Sequence, residues 1–393
     1  MKIIYAYFYS RIVCIIIACT LFSATADAQN VQPGVKANGS GNSNIITAVP
    51  FLLITPDARA GAMGDAGVAV QPDANAMSIN PSKLAFLEPD LGVAVSYSPW
   101  LRSLVPNVHL GYISGYYKPN RNSAVGMSLR YLSYGAIEIN DVNFQQLGTS
   151  NPNEMAVDFT YAKRYGDHFS LGTAVRYIYS NLLSGQFVAG QQTKPGQALA
   201  ADVSAYYKTP TVLFGRDAIV SGGIDISNIG TKMSYAAESA SYFLPANLKI
   251  GAAATFLMDD DNQLTFALDI NKLLVPTQPV YDRNNVIIAG KDPNRSVPAS
   301  IFSSFNDAPG GASEELKELS YATGIEYAYR RKFALRAGYF YENPEKGNRR
   351  YATAGVGLTY ESFQLNFAYV IAAVQKNPLA NTLRFSLHYN FGQ

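Results

Sequence analysis

Two short segments have residue types and spacings that could bind ions. The glycines at positions 61, 64 and 67 are spaced like a phosphate-binding loop, and Asp259-Asp260-Asp261 gathers the carboxylates that Ca²⁺ prefers. A phosphate loop also needs a Lys-Ser or Lys-Thr pair between a strand and a helix, and the glycines have neither. The three aspartates lack the other ligands of a calcium loop, so they predict a solvated turn.

The side chains that most often carry catalysis are few and scattered. His109, His168 and His388 are far apart in sequence and show no metal-ligand spacing. Both cysteines, Cys14 and Cys19, lie within residues 1–28, and the chain has no Gly-x-Ser-x-Gly motif. The sequence therefore predicts no enzymatic activity, no metal site and no cofactor.

Alternation of apolar and polar residues marks the elements that make up most of the chain. Leu383–Phe391 alternates without a fault, which is typical of a β-strand with one face in an apolar medium and one in a polar medium. About 14 such segments can be counted, an even number, as in single-chain bacterial barrels. One of them is expected to turn Val108, Leu110 and Tyr112 outward. Tyrosine, with 27 copies, suits the boundary between water and lipid.

The connections between these segments alternate in length. Short links fall at residues 118–122 and 330–332, for example, and long ones at 132–153 and 271–318, with one longer link on the short side at 208–217. This parity is typical of short periplasmic turns and long extracellular loops. The sequence predicts an all-β fold, a transmembrane outer-membrane β-barrel of about 14 antiparallel strands with both termini periplasmic.

The opposite faces of these strands carry charges of both signs. The charged residues are Arg130, Asp158, Arg176, Asp202, Asp225, Asp269, Glu326, Arg336 and Arg384. Inside a barrel such charges can pair with one another or with a plug. Without residues 1–28 the chain has 29 basic and 28 acidic residues, a net charge of +1 that gives no reason to expect a nucleic-acid partner.

The N-terminal region is expected to have three parts. Residues 1–28 combine positive flanks, a short apolar core and the small-residue site Ala26-Asp27-Ala28, as in a signal peptide. Cys19 also permits a lipoprotein interpretation, which the short apolar stretch before it disfavours. Residues 29–46 predict a flexible segment. Residues 47–88 are expected to form a hatch in the lumen, and residues 89–393 the barrel with its long extracellular loop 271–318.

Two motifs resemble known outer-membrane barrels. Asn80-Pro81-Ser82-Lys83-Leu84-Ala85 is similar to the Asn-Pro-x-x-Leu-Ala signature of FadL-type long-chain fatty-acid transporters, whose barrels hold an N-terminal hatch. Residues 47–86 and 305–318 together resemble more closely the PorV family, an outer-membrane component of the type IX secretion system.

The PorV resemblance implies a protein that performs no covalent chemistry. Family members bind the large translocon barrel (SprA, also called Sov), accept cargo by its C-terminal signal domain and deliver it to a PorU-type sortase. The sortase joins the cargo to lipopolysaccharide of the lipid bilayer. The FadL resemblance leaves open an alternative, an outer-membrane transporter of hydrophobic small molecules, which should show a continuous apolar pocket between hatch and wall.

Two sets of residues are candidates for this function. The hatch motif consists of Pro56, Asp57, Arg59, Gly61, Gly64, Asp65, Gly67, Asn80 and Pro81. Loop 271–318 is far longer than a usual connection, and it carries apolar patches at 273–275 and 286–288 and an expected short helix at 313–319. Its candidate partner-binding residues are Val286, Ile287, Ile288, Phe302, Phe305, Pro309, Gly310, Gly311, Glu314 and Glu315.

Overall fold

Fourteen antiparallel strands close into a barrel, which confirms the predicted fold. The computed structural model describes residues 45–391 except 101–106, 141–142, 144, 183–186, 189–190, 237–240 and 373–381. The expected signal peptide and most of the expected flexible segment lie outside the described residues. The barrel strands are β1 (Leu91–Pro99), β2 (Val108–Asn120), β3 (Ser123–Tyr134), β4 (Asn153–Tyr165), β5 (Phe169–Asn181), β6 (Gly196–Leu213), β7 (Arg216–Gly230), β8 (Asn247–Leu257), β9 (Asn262–Leu273), β10 (Leu319–Tyr329), β11 (Phe333–Glu342), β12 (Arg350–Tyr360), β13 (Phe363–Ala372) and β14 (Leu383–Phe391).

The barrel closes because its first and last strands pair with each other. β1 and β14 are antiparallel, with Leu91 opposite Phe391 and Tyr97 opposite Phe385. Buried and exposed residues alternate along these strands, so that outward side chains meet lipid and inward ones fill the lumen. A closed barrel leaves no free sheet edge in the apolar layer of a membrane.

The connections are short at one end of the barrel and long at the other, as predicted; we call these the short-turn end and the long-loop end. The expected longer link at 208–217 is wrong, because β6 continues to Leu213 and a two-residue turn leads into β7. The turn residues Phe214 and Gly215 have φ values of 52° and 73°. Two consecutive positive φ values are typical of a type I′ hairpin turn, which joins twisted strands directly.

Aromatic side chains on the outer face lie toward both ends of the barrel. At the short-turn end the ring of Tyr389 is 4.8 Å from that of Phe363 and 4.6 Å from that of Phe391, centroid to centroid. Toward the long-loop end the rings of Tyr321 and Tyr341 are 6.5 Å apart. Aromatic residues on both sides of an apolar band are typical of a barrel embedded in a bilayer.

Residues 45–90 run through the lumen from the long-loop end to the short-turn end, and we call them the hatch. Ile45 packs against Leu274 and Val275 beside the long loops. At the other end the carbonyl of Leu87 accepts a hydrogen bond from Lys118. The hatch consists of three 3₁₀ turns, Pro50–Leu53, Ala74–Ser78 and Pro81–Phe86, and the short helix α1 (Ala58–Ala62).

The described chain thus enters the barrel at the long-loop end and leaves it at the short-turn end. Ile45 is the first described residue, and Phe391, the last, pairs with Leu91 at the start of β1. The expectation that both termini are periplasmic concerns residues 1–44 and 392–393, which lie outside the described part of the chain.

The inner face of β2 differs from the prediction. Val108, Leu110 and Tyr112 point into the lumen instead of outward, and each is at most 5% exposed. Leu110 belongs to one buried cluster with Phe51 and Leu52 of the hatch. The hatch presents an apolar surface here, so the lumen side of β2 is apolar too. Alternation alone therefore assigned these residues to the wrong face.

The long loops contain short elements of their own. Paired segments lie at Ile137–Asn140 and Gln146–Ser150, at Phe187–Val188 and Gln191–Gln192, and at Val280–Tyr281 and Ile287–Ala289. The connection from β9 to β10 also carries two helices, α2 (Val297–Ser303) and α3 (Ala312–Lys317). In the described part of the chain, no helix has the length and apolar character needed to cross a membrane.

Candidate functional site

The centre of the hatch motif lies where the hatch touches the barrel wall. Gly64 has a φ of +67°, and a Cβ at this position would lie 2.5 Å from the backbone nitrogen of Tyr339. The next residue, Asp65, accepts hydrogen bonds from Arg384 (2.6 Å) and from the hydroxyl of Tyr351 (2.5 Å). Only glycine lets the hatch backbone approach the wall this closely in this conformation.

Arg59 joins the hatch to the wall by charge. Its guanidinium donates to both carboxylate oxygens of Glu326 on β10, at 3.0 and 2.9 Å, and pairs with Asp73 at 3.3 Å. Arg336 on β11 donates to the same Glu326 at 2.5 Å. These four side chains are at most 17% exposed. Separation of such a pair leaves a buried charge without its partner, so the network resists movement of the hatch.

Two further motif residues fix the hatch backbone. The N–H groups of Gly67 and Val68 donate to one oxygen of Asp269 on β9, at 2.6 and 2.9 Å. The side chain of Asn80 donates to the carbonyls of Val68 (3.0 Å) and Ala205 (3.1 Å), and Ala205 belongs to β6. The hatch is therefore bound to two separate strands of the wall, to β9 through its main chain and to β6 through the side chain of Asn80.

The other motif residues, Pro56, Asp57, Gly61 and Pro81, are buried. Asp57 caps α1 by accepting from the N–H of Ala60. Burial, with the nearby charge of Asp73, raises the pKa of the Asp57 carboxyl to about 6. All residues of the hatch motif therefore belong to a plug that fills the lumen, and several of them bind it to the barrel wall.

The lumen of the described residues contains a cavity toward each end. The one toward the short-turn end has a volume of about 360 Å³, and its lining includes Arg59, Lys208, Glu326, Arg331 and Arg336. The one toward the long-loop end has a volume of about 80 Å³, and its lining includes Asp65, Lys249, Glu342 and Arg349. Neither is the apolar pocket expected of a transporter for hydrophobic molecules. Within the described residues no three His, Asp or Glu side chains gather as a metal site.

Residues 274–318 form the connection from β9 to β10 at the long-loop end, and we call them the overhang. Phe305, Glu315 and Leu316 of the overhang lie over the outer face of β8 and β9. Lys272 projects from the outer face of β9 and donates to Glu315 (2.9 Å) and Glu318 (2.7 Å), with only 6% of its side chain exposed. Glu315 also accepts from the N–H groups of Asp307 (2.6 Å) and Ala308 (2.9 Å). Burial alone would raise the pKa of the Glu315 carboxyl, but the N–H of Ala308 and the ammonium of Lys272 hold it below the usual value.

The candidate residues of the overhang thus have two kinds of role. Glu314 accepts from Lys346 (2.5 Å) and from the N–H of Gly310 (2.6 Å), so Glu314 and Glu315 hold the overhang in place. The apolar patch expected at 273–275 is not presented to solvent, because Leu274 and Val275 are each 2% exposed and pack in a buried cluster.

Other apolar side chains of the overhang are exposed. Their exposed fractions are 58% for Val286, 64% for Ile288, 81% for Phe302, 51% for Phe305 and 67% for Leu316. Ile287 is half-buried in its short paired segment, and Pro309, Gly310 and Gly311 form the turn before α3.

Sequence reasoning missed Leu316 of the overhang and two lysines outside the overhang that bind it, Lys272 and Lys346. One signal was available for Lys272, because its position continues the outward apolar alternation of β9. A charge at such a position needs a partner above the lipid.

The described geometry has counterparts among known proteins. The family described as type IX secretion system protein PorV matches residues 37–280, more than half of the 393 residues. The chain belongs to the PorV family. It is accordingly an outer-membrane β-barrel of the type IX secretion system, from a family that is not enzymatic. No curated protein matches the chain by sequence.

Solved structures of a monoaromatic hydrocarbon channel and a toluene transporter have a similar barrel. The CymD monoaromatic hydrocarbon channel is 11% identical with a TM-score of 0.50, over 87% of this chain and 99% of its own. The toluene transporter TodX of P. putida is 13% identical with a TM-score of 0.50, over 86% of this chain and 99% of its own. A Pseudomonas aeruginosa FadL homologue is 10% identical with a TM-score of 0.43, over 86% and 99%. At these identities the likeness to CymD and TodX shows the fold alone, a barrel of the same kind.

Proposed function

We propose that this PorV-family barrel is a docking and shuttle component of type IX secretion. The overhang binds the translocon barrel and the C-terminal signal domain of cargo, and the barrel then delivers the cargo to a PorU-type sortase for attachment to lipopolysaccharide. In this arrangement the long-loop end faces the cell exterior and the short turns face the periplasm. The observation that carries the proposal is the set of exposed apolar side chains on an anchored overhang.

The exposed residues favour a protein contact over simple capping of the barrel. Val286, Ile288 and Phe302 are each more than half exposed, although the overhang is bound to the wall through Lys272. Apolar side chains held in water by an ordered loop gain free energy when a partner covers them. Aromatic anchors such as Phe302 are typical of the residues that dominate interface energies.

The lumen supports docking over transport. The hatch contacts the wall by backbone at Gly64 and by buried ion pairs at Arg59 and Asp65. Breaking one buried pair costs about 3–5 kcal/mol, so a hatch held by several pairs is a poor gate. The alternative of a transporter for hydrophobic molecules is less well supported, because charged side chains line both lumen cavities described above.

Photo-crosslinking in living cells tests the proposal. A photoreactive amino acid at position 302 is expected to capture a much larger barrel protein and proteins that share a C-terminal signal domain. Phe214 provides a matched control, because it is an even more exposed phenylalanine (94%) in a turn at the opposite end. Position 214 is expected to capture neither.

A functional variant complements the crosslinking. Phe302→Asp, in a barrel that still assembles, is expected to reduce cargo at the cell surface at least five-fold, and Phe214→Asp is expected to leave it unchanged. Normal surface display by Phe302→Asp, together with no capture from position 302, would contradict the docking role of the overhang.

A further inference from the structure

A groove on the outer wall of the barrel lies beneath the overhang. Its volume is about 300 Å³, and Leu248, Ile250 and Ile270 form its floor on β8 and β9. Phe305 and Leu316 of the overhang form its roof. The groove is distinct from the lumen and from the exposed face around Phe302.

The groove continues the lipid-facing band of the barrel. Ile250 and Ile270 point outward and are 49% and 37% exposed, and Leu268 and Phe266 follow Ile270 along the same face of β9. In the strand register Ile270 lies opposite Tyr321, which neighbours the ring of Tyr341. The floor therefore starts at the aromatic row, the level at which lipid head groups meet the apolar layer.

The charged side chains beside the groove, Lys272 and Glu315, already have partners within the protein. Lys272 is bound by Glu315 and Glu318, and its ammonium lies 5.8 Å from the ring centroid of Phe305. The backbones of β8 and β9 pair with each other and with neighbouring strands in the closed barrel. A peptide placed here would bury N–H and C=O groups without partners, which is costly, whereas a hydrocarbon chain has none to satisfy.

We propose that this groove holds an acyl chain of a membrane lipid, with the head group at the level of Tyr321 and Tyr341. The chain covers the apolar sides of Phe305 and Leu316 and extends the apolar layer under the overhang. The proposed lipid site is formed by this chain alone. Its test therefore does not depend on whether the overhang docks cargo.

The experiment uses the purified full-length protein in phosphatidylcholine nanodiscs that contain a palmitoyl chain with a diazirine group. After illumination, adducts are mapped by mass spectrometry of peptides. Adducts on the groove residues are expected to exceed those on the outward residues Val95 and Ile113, on β1 and β2 across the barrel, at least five-fold.

Two matched variants separate a bound lipid from general contact with the bilayer. Ile270→Trp fills the groove and is expected to lower the groove adducts at least five-fold. Ile325→Trp is the control, because Ile325 is an outward isoleucine on β10 of similar exposure (45%) that does not line the groove. It is expected to leave the adducts unchanged.

Two results overturn the proposal. Equal labelling of the groove and the opposite wall, or an equal effect of both tryptophan variants, shows annular lipid only. Capture of a protein by a photoreactive residue at Leu316 in cells, together with only background lipid labelling of the groove, assigns it to a protein partner.

Discussion

Single residues decide how the hatch is seated. The alternation of the strands predicted which charges face the lumen, and Arg176, Glu326, Arg336 and Arg384 are indeed buried there and paired. The partner of Arg384 could not be predicted, because only the path of the hatch across the barrel brings Asp65 to it. Close backbone approach at Gly64 likewise depends on the wall residues opposite it, which sequence spacing does not reveal.

Gly64→Ala is expected to unseat the hatch. A left-handed alanine costs about 1 kcal/mol by itself, and the new Cβ would also meet the backbone of Tyr339 and Thr323. Gly215→Ala isolates the first cost, because Gly215 has a φ of +73° with nothing within 4 Å of its Cβ position. Urea unfolding in lipid vesicles should show a loss of about 1 kcal/mol for Gly215→Ala and clearly more for Gly64→Ala.

Conductance in planar bilayers provides a second measurement for the same pair of variants. Gly64→Ala is expected to conduct ions because the lumen is no longer filled, and Gly215→Ala is expected to stay closed. Equal stabilities and two closed barrels would show that the hatch adapts to the extra methyl group.

At the level of elements, strands were easier to predict than the connections that carry function. Lipid outside and polar groups inside impose a period of two on each strand, and this period is visible in the sequence of β14. It failed for the face of β2, where Phe51 makes the inner side apolar. The fold of the overhang depends on contacts with Lys272, which belongs to a strand and not to the loop.

Lys272→Met is expected to loosen the overhang while the barrel stays intact. The change leaves Glu315 and Glu318 without their shared cation, and loss of one partner of a buried pair costs about 3–5 kcal/mol. Hydrogen exchange of α3 should accelerate about 100-fold or more, since about 1.4 kcal/mol corresponds to a factor of ten.

Lys317→Met is the matched control for this change. Lys317 pairs with Glu345 at 2.8 Å, but the two side chains are 37% and 61% exposed. Surface pairs of this kind contribute little, so exchange of α3 should change only a few-fold. Equal acceleration by both variants would mean that Lys272 is not the anchor of the overhang.

For the whole molecule, the direction of the hatch relative to the barrel is the main result that the sequence did not indicate. An even number of strands places the start of β1 and the end of β14 at the same end. The hatch then crosses the lumen once more, so that Ile45 lies among the long loops. No local pattern reports this direction, because it depends on how the closed barrel surrounds residues 45–90.

Cysteine labelling tests the proposed orientation. Residues 29–393 contain no cysteine, and Ile46 is 60% exposed beside the long loops. A membrane-impermeant maleimide added to intact cells should label Ile46→Cys, and it should label Asp260→Cys, in a short turn, only after the outer membrane is permeabilised. The reverse pattern would invert the barrel in the membrane.

The ion pair between Asp65 and Arg384 joins an early segment of the chain to the strand that closes the barrel. Asp65 lies in a segment that precedes every strand, and Arg384 lies in the strand that closes the wall. Arg384 is buried, and its carboxylate partner comes from the hatch. A closed barrel with an empty lumen would leave this guanidinium without that partner, which is costly for a buried charge. The pair therefore stabilises the closed barrel specifically in the state in which the hatch fills its lumen.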